Sequence, residues 1–398
     1  MSASHNPFSF YSPTRLVFGP GATKNAGHLV AGLGVTSVLL VCGKGATGAS
    51  RGFATLRTAL ETAGIKYKVF NKVAADPDAE TVAEAAEAIR AGGLEAVVAY
   101  GGGSPIDCAK SAALAAANGV GILEFVYGRL LPIKPALPIV AVPTTAGTGS
   151  ELSSASVTTD RAQDRKLGYS SDSFFPKVAI VDPENHLSLP PRITAATGMD
   201  ALTHAVESYL SLAANPMSDA INLMSVSMIS AALPAAYADG SDLGARSTMA
   251  IASSQAGAAF SQTGLGMVHG FAHPVGARHG VAHGDANAII LPYVLAALAR
   301  DAAPRMRNLA AAMGVCRRDA PDKAGAASLV KAIVDLKSKL GIAPSLSAAG
   351  VREADAPALL ADAHTYRSRA RSPRPFTDDE LGRLLDAAIA GDLKAAAL

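Results

Sequence analysis

Four of the nine histidines, His269, His273, His279 and His283, fall within Gly264 to Asn287, GLGMVHGFAHPVGARHGVAHGDAN, with no Lys or Glu among them. A solvated surface normally carries such charges, so this composition points to a buried site rather than a glycine-rich turn with incidental histidines. The stretch contains two i, i+4 pairs, His269 with His273 and His279 with His283, and that spacing sets two rings on one face of a helix. Asp200 and His204 repeat the spacing in GMDALTHAVESY. Alone, such a DxxxH pair is ordinarily a capping Asp and a hydrogen-bonded His. Joined to the four histidines, it becomes a carboxylate-and-imidazole set suited to Fe²⁺ or Zn²⁺. An ion there would polarise an alcohol or carbonyl oxygen as a Lewis acid. Spacing does not decide which histidines join Asp200 and His204.

These residues require helices to hold them. From about Ile193 onward the chain reads as helical, over Ala201 to Ser211, Asp219 to Ala236, Ala245 to Ser261, Asn287 to Ala299, Ala324 to Leu340 and Asp378 to Ala390. Pro190-Pro191 marks the change from a different pattern before it. There, short apolar runs recur at Ser37 to Val41, Lys66 to Phe70, Ala96 to Tyr100, Pro138 to Val142 and Val178 to Val181. Helix-like stretches separate them, clearest in Asp78 to Ala91 with Asp78 as N-cap and Gly92-Gly93 as the stop. Strands alternating with helices predict a parallel sheet covered on both faces, which binds ligands at the C-terminal ends of its strands.

Three loops occupy such strand ends. The first, Gly43-Lys44-Gly45-Ala46-Thr47-Gly48, matches GxGxxG before a helix at Gly52 to Ala63, but no acid ends the next strand, where Asn71 and Lys72 stand. The second, Gly101-Gly102-Gly103-Ser104-Pro105, is the stronger anion cradle. Its glycines admit backbone N–H groups to a phosphate, and the helix from Ile106 to Ala117 adds partial positive charge at its N-terminus. Asp107 and Cys108 in that helix read first as structural residues. The third loop, Pro143 to Glu151 (PTTAGTGSE), offers threonine hydroxyls suited to a ribose, a phosphate or a base edge. Together the three favour a dinucleotide.

The 398 residues exceed one ordinary core, so two domains are expected, an α/β dinucleotide-binding domain over 1–190 and an all-helical metal- and substrate-binding domain over 191–398. A net charge of +2, from 35 basic and 33 acidic residues, gives no electrostatic case for nucleic acid or an anionic membrane. Three scattered cysteines, Cys42, Cys108 and Cys316, form neither a disulfide framework nor a zinc motif. With no signal-peptide pattern at MSASHNPFSFYSPTR and no long uninterrupted apolar run, a cytoplasmic protein with a small-molecule partner is expected.

Four stretches, GGGSPIDCAK, PTTAGTGSE, GMDALTHAVESY and GLGMVHGFAHPVGARHGVAHGDANAIILP, occur in the order found in the iron-containing (group III metal-dependent) alcohol dehydrogenases, and the chain resembles that family over nearly its whole length. The resemblance implies a dehydroquinate-synthase-like architecture, with an N-terminal dinucleotide-binding domain, a helical C-terminal domain and a metal in the cleft between them. It implies Asp200, His204, His269 and His283 as metal ligands and His273 as a catalytic residue near the nicotinamide. It leaves His279 without a function. For the cofactor it implies Gly102, Gly103 and Ser104 at the pyrophosphate, Thr144, Thr145 and Thr148 along the cofactor, and Lys166 at the nicotinamide-side ribose. Gly43, Asp107 and the shared ligand His283 complete the cofactor set. The implied reaction is hydride transfer between nicotinamide C4 and a small alcohol or carbonyl compound, of diol or hydroxy-acid type, by a homodimer.

Two features depart from the family pattern. Where many NAD-preferring relatives end the first strand with an Asp, this chain has Gly43 followed by Lys44, which admits NADP beside NAD. The loop from His364 to Pro375 is basic, and one of Arg367, Arg369 and Arg371 is expected to pair with an anionic group on the substrate. The alternatives are a metal-dependent hydrolase without a nucleotide and a metal-free binding protein. Dehydroquinate-synthase-like and glycerol-phosphate-dehydrogenase-like enzymes share the two-domain plan, but GMDALTHAVESY and HGFAH favour the alcohol dehydrogenases.

Overall fold

The computed structural model describes residues 7–397. Its first half runs β1 (Arg15–Phe18), α1 (Ala26–Ala31), β2 (Ser37–Gly43), α2 (Arg51–Thr62), β3 (Lys66–Val73), α3 (Ala79–Gly92), β4 (Ala96–Gly101), α4 (Gly103–Asn118), α5 (Ile122–Val126), β5 (Ile139–Pro143), β6 (Ala155–Asp160), β7 (Arg165–Ser170) and β8 (Val178–Val181). Six strands form one parallel sheet in the order β1-β8-β5-β4-β2-β3.

The sheet follows from the period-two geometry of strands that are apolar on both faces. Val38, Leu40 and Val98 turn one way, onto Leu29, Phe53 and Leu56 from α1 and α2. Leu39, Val41 and Val97 turn the other way, onto Val82, Ile89 and Ile106 from α3 and α4. Asp78 caps α3 by accepting from Thr81 N at 2.8 Å, and Gly93 ends it in the left-handed conformation that favours glycine. The strand order reverses between β2 and β4, and in open parallel sheets ligands bind outside the carboxyl ends of the strands at such a point.

The structure adds three strands to the five predicted from the sequence. β1 is a four-residue edge strand beside β8, and β6 and β7 form an antiparallel hairpin that pairs Thr159 with Lys166. Two predicted helix starts also move by more than three residues. The helix predicted from Ala201 begins at Pro191, where proline suits the first turn, and the one predicted from Asn287 begins at His283.

Beyond β8 the described residues form helices and turns only: α6 (Pro191–Leu210), α7 (Pro216–Ala238), α8 (Leu243–Thr263), α9 (Met267–His279), α10 (His283–Leu298), α11 (Ala303–Ala312), α12 (Asp322–Lys339), α13 (Ala356–His364) and α14 (Asp378–Ala390). α7 is long and apolar enough by composition to cross a bilayer, yet it is interrupted by polar residues and packs along α6. Gly198 permits that approach, since a Cβ there would lie 2.3 Å from Leu233 Cδ1. By Cα proximity the described residues divide into two units, 12–189 with 241–254, and 7–11 with 190–240 and 255–397. Helix α8 therefore contributes residues to both.

Candidate functional site

In the helical unit, α6 carries Asp200 and His204 one turn apart, α9 carries His269, and α10 begins at His283. Gly280 ends α9 in the left-handed conformation and lets the chain turn into α10, which puts His269 and His283 on different helices. Gly284 lets α10 close on α6, because a Cβ there would stand 2.1 Å from Ala196 O.

The outcome is a cluster in which one ligand atom from each of Asp200, His204, His269 and His283 lies within 4.8 Å of the others. Asp200 Oδ1 is 3.7 Å from His204 Nε2, 3.8 Å from His269 Nε2 and 3.6 Å from His283 Nε2. Donors about 2.1 Å from one shared ion stand about 3.4 Å apart in a tetrahedron, so one carboxylate and three imidazoles at these separations suit a divalent metal. The rings of His204 and His269 stack at 4.8 Å, and Phe260 covers the outer face of His204 at 4.7 Å. Asp200, His204 and His269 are buried, whereas the His283 side chain is 27% exposed and marks the accessible side.

The electrostatics agree with the geometry. Burial by itself would raise the Asp200 carboxyl, but His204, His283 and His269 outweigh it and hold the group well below the usual carboxylate range. Burial would lower His269, but the nearby Asp200 carboxylate and the hydrogen bond to Glu207 outweigh it and push it up to about 9.

His273, also on α9, lies beside the cluster, with ring centroids 5.4 Å from His283 and 6.1 Å from His269. His279 points elsewhere, its Nε2 3.8 Å from Asp355 Oδ2. Sequence reasoning missed two close neighbours. Asn287, fully buried one turn after His283, donates from Nδ2 to Asp200 Oδ1 at 2.7 Å. Glu207, on the α6 face shared by Asp200 and His204, accepts from His269 Nδ1 at 2.6 Å. The i+3 and i+7 spacing of Glu207 from the DxxxH pair was the available signal.

At the sheet's carboxyl edge, α4 starts at Gly103 directly from β4, with Gly102 at the N-cap and no side chain capping it. A Cβ at Gly102 would stand 3.1 Å from Thr145 Oγ1, and one at Gly103 would stand 2.5 Å from Thr148 Cγ2. The triple-glycine turn and the threonine loop are thus in contact, and a side chain at Gly103 would displace Thr148. Thr144 N donates to Gly101 O, which ties the third loop to β4. The Lys166 side chain is 3% exposed, with Nζ 2.7 Å from Asp76 Oδ2, and Asp76 N donates to Ser104 Oγ at 3.2 Å. Asp76 holds a positive φ of 55° and was not singled out from the sequence. Gly43 neighbours Pro105 and lines a cavity of about 280 Å³ with Cys42, Gly45, Gly48, Arg57 and Asn71.

Asp107, expected among the cofactor residues, is half-buried at the start of α4. Its carboxylate accepts from Ser150 Oγ at 2.6 Å and from Val157 N at 3.0 Å, so it supports the threonine loop from behind. Lys110 does the same from the centre of that loop, donating from Nζ to the carbonyls of Ser150, Ser153 and Ala155 at 2.6, 2.9 and 2.8 Å. Burial pulls Lys110 down to about 8, against Asp107 and Glu151, which raise it. Of the three loop arginines, Arg369 stands 3.6 Å from Asp378, Arg371 packs beside Gly264, and Arg367 is exposed.

Two family models account for both halves of the chain, "Iron-containing alcohol dehydrogenase" over residues 13–183 and "Fe-containing alcohol dehydrogenase family, C-terminal" over 194–389. The chain belongs to the iron-containing alcohol dehydrogenase family. Like other iron-containing alcohol dehydrogenases it is an oxidoreductase that interconverts alcohols and carbonyl compounds by hydride transfer with a nicotinamide cofactor, and the hydrolase reading is set aside. It is 34% identical over 383 residues to the NAD-dependent methanol dehydrogenase of Bacillus methanolicus, covering 96% of this chain and all of that one. The structure of a 1,3-propanediol oxidoreductase superposes with a TM-score of 0.92 at 34% identity, covering 96% of this chain and 100% of the other. A sulfoacetaldehyde reductase from Bifidobacterium kashiwanohense in complex with NAD⁺ superposes with a TM-score of 0.87 at 30% identity, covering 98% and 100%. The two-domain architecture, a six-stranded parallel α/β sheet followed by a helical domain, is that of the family.

Proposed function

We propose that Asp200, His204, His269 and His283 hold a divalent ion, Fe²⁺ in the first place and Zn²⁺ in the second, in an NAD(P)-linked reductase of small aldehydes. The observation that carries this reading is the convergence of the four ligand atoms within 4.8 Å. The ion, when bound, supplies Lewis-acid polarisation of the alcohol or carbonyl oxygen. His273 stands next to His283 on the partly exposed side and is assigned to the substrate proton. Gly102, Gly103 and Ser104 are assigned to the pyrophosphate, with Thr144, Thr145 and Thr148 along the cofactor and Lys166 at the ribose. Asp107 acts through the threonine loop. The cofactor is assigned to residues 1–190 and the metal to 191–398.

Gly43, with no carboxylate to repel a 2′-phosphate and Lys44 beside it, supports use of NADP as well as NAD. An anionic substrate is favoured by the basic loop and by the likeness to a sulfoacetaldehyde reductase. Edge strand β1, with Leu16 and Phe18 exposed, offers a pairing surface for a homodimer, and the three free cysteines accord with a cytoplasmic setting. The test is a nicotinamide absorbance assay on Fe²⁺- or Zn²⁺-loaded protein with short diols, hydroxy acids and aldehydes. Metal-dependent oxidation of NADH or NADPH by an aldehyde is the expected result, and equal inactivity with and without metal across the panel would overturn the reading.

A further inference from the structure

We infer that Glu207 is a positioning residue that fixes the tautomer and the angle of His269, so that His269 presents a lone pair at Nε2. This rests on the metal reading of the four-residue cluster. The Glu207 side chain is 5% exposed and both of its oxygens are in use, Oε2 accepting from His269 Nδ1 at 2.6 Å and Oε1 accepting from Val268 N at 2.7 Å. A carboxylate only accepts, so Nδ1 keeps its proton, and Nε2, the nitrogen facing Asp200, is the one open to a metal. Such carboxylate–histidine pairs orient metal ligands and increase their basicity. The sequence is built around this contact. Gly266, the residue that opens α9, is where a Cβ would come within 2.7 Å of Glu207 Oε1. Asp200 and Glu207 also supply two buried negative charges, enough to balance a dication.

Glutamine cannot replace this carboxylate, because it offers one acceptor to two donors. Turned to satisfy Val268 N–H, it points its NH₂ at Nδ1 and favours the proton on Nε2, the nitrogen needed for the metal. Turned to satisfy His269, it sets two N–H donors against each other at Val268.

The experiment is titration of the full-length protein with Co²⁺ against a competing chelator, with the visible spectrum of the bound ion recorded. E207Q is expected to bind Co²⁺ about 10- to 100-fold more weakly than wild type and to shift its spectrum. G266A keeps the charge, and its backbone φ of −128° is open to alanine, but it pushes the carboxylate away. It is expected to weaken Co²⁺ in the same direction, and it serves as the deciding variant if E207Q does not fold. Wild-type affinity and spectrum in either folded variant would overturn the assignment of Glu207 while leaving the metal site intact. Failure of the wild-type protein itself to bind Co²⁺ would instead remove the metal reading on which the inference stands.

Discussion

The ring of Tyr366 meets the imidazole of His273 edge-on, with centroids 5.4 Å apart and planes at 86°. Tyr366 also lies against Gly270, where a Cβ would come within 3.2 Å of its Cδ1, so a glycine on α9 makes room for the ring. If His273 stands at the reacting carbon, Tyr366 forms the wall that limits substrate bulk. Tyr366→Ala is expected to raise kcat/KM for long-chain over short-chain aldehydes by about tenfold, within the range a few methylenes supply. An unchanged ratio in a metal-replete variant would remove Tyr366 from the substrate wall.

Asp76 holds the ammonium of Lys166 at 2.7 Å while adopting a left-handed backbone. Asparagine tolerates that backbone, so Asp76→Asn removes the charge alone. The expected result is a rise in cofactor KM of about tenfold, the equivalent of one charge-assisted contact worth about 1.4 kcal/mol. Steady-state kinetics in varied NADH and NADPH would check it, and an unaltered KM would detach Lys166 from the cofactor.

Gly43 ends β2 at the cavity lined by Arg57 and Asn71. Gly43→Asp is expected to shift the ratio of kcat/KM for NADH over that for NADPH by at least about tenfold toward NADH, since a carboxylate pairs with a ribose hydroxyl and repels a 2′-phosphate. Strict NADH dependence of the wild-type protein would sink the NADP assignment at once.

His186 is fully buried, and its Nε2 lies 3.2 Å from Pro143 O at the root of the threonine loop. Burial pulls its pKa down to about 4, assisted by Arg246 and opposed by the contact with Pro143 O and by Asp182. The folded protein thus keeps this ring neutral. Its contribution is intact above the unfolded value of about 6.5 and is lost as pH falls toward 4, by roughly 3 kcal/mol in all. Denaturant unfolding of wild type and His186→Gln between neutral pH and pH about 4.5 should show wild type losing more stability than the variant. Parallel losses would contradict this account.

Much of the N-terminal half was legible because local signals and tertiary packing agree there. Asp78 and Gly93 bound α3 by capping chemistry alone, and β4 running into Gly101 announced its helix. The hairpin β6–β7 was hidden because ASVTTD and RKLGYS carry too little apolar alternation to read as strands. α9 contains Gly270, Pro274 and Gly276, which argue against a helix locally, and packing overrides that preference. Asp200 and His204 were visible as a pair, but periodicity left the choice among the four histidines open and only the family resemblance pointed to His269 and His283, because the turn at Gly280 that separates them is not encoded in the spacing. Glu207 and Asn287 stayed unseen because their contacts are with His269 and Asp200 on neighbouring helices, and these appear only once the helices are side by side.

Among the histidines of α9 and α10, His269 and His283 are assigned to the ion and His273 to the substrate proton. The metal content of purified, Fe²⁺- or Zn²⁺-loaded alanine variants, measured beside their turnover, decides between these roles. His269→Ala and His283→Ala are predicted to lose the ion, and His273→Ala to keep the wild-type metal content while turnover falls by about 100-fold or more. Retention of the ion by His269→Ala and His283→Ala, or its loss from His273→Ala, would contradict the account.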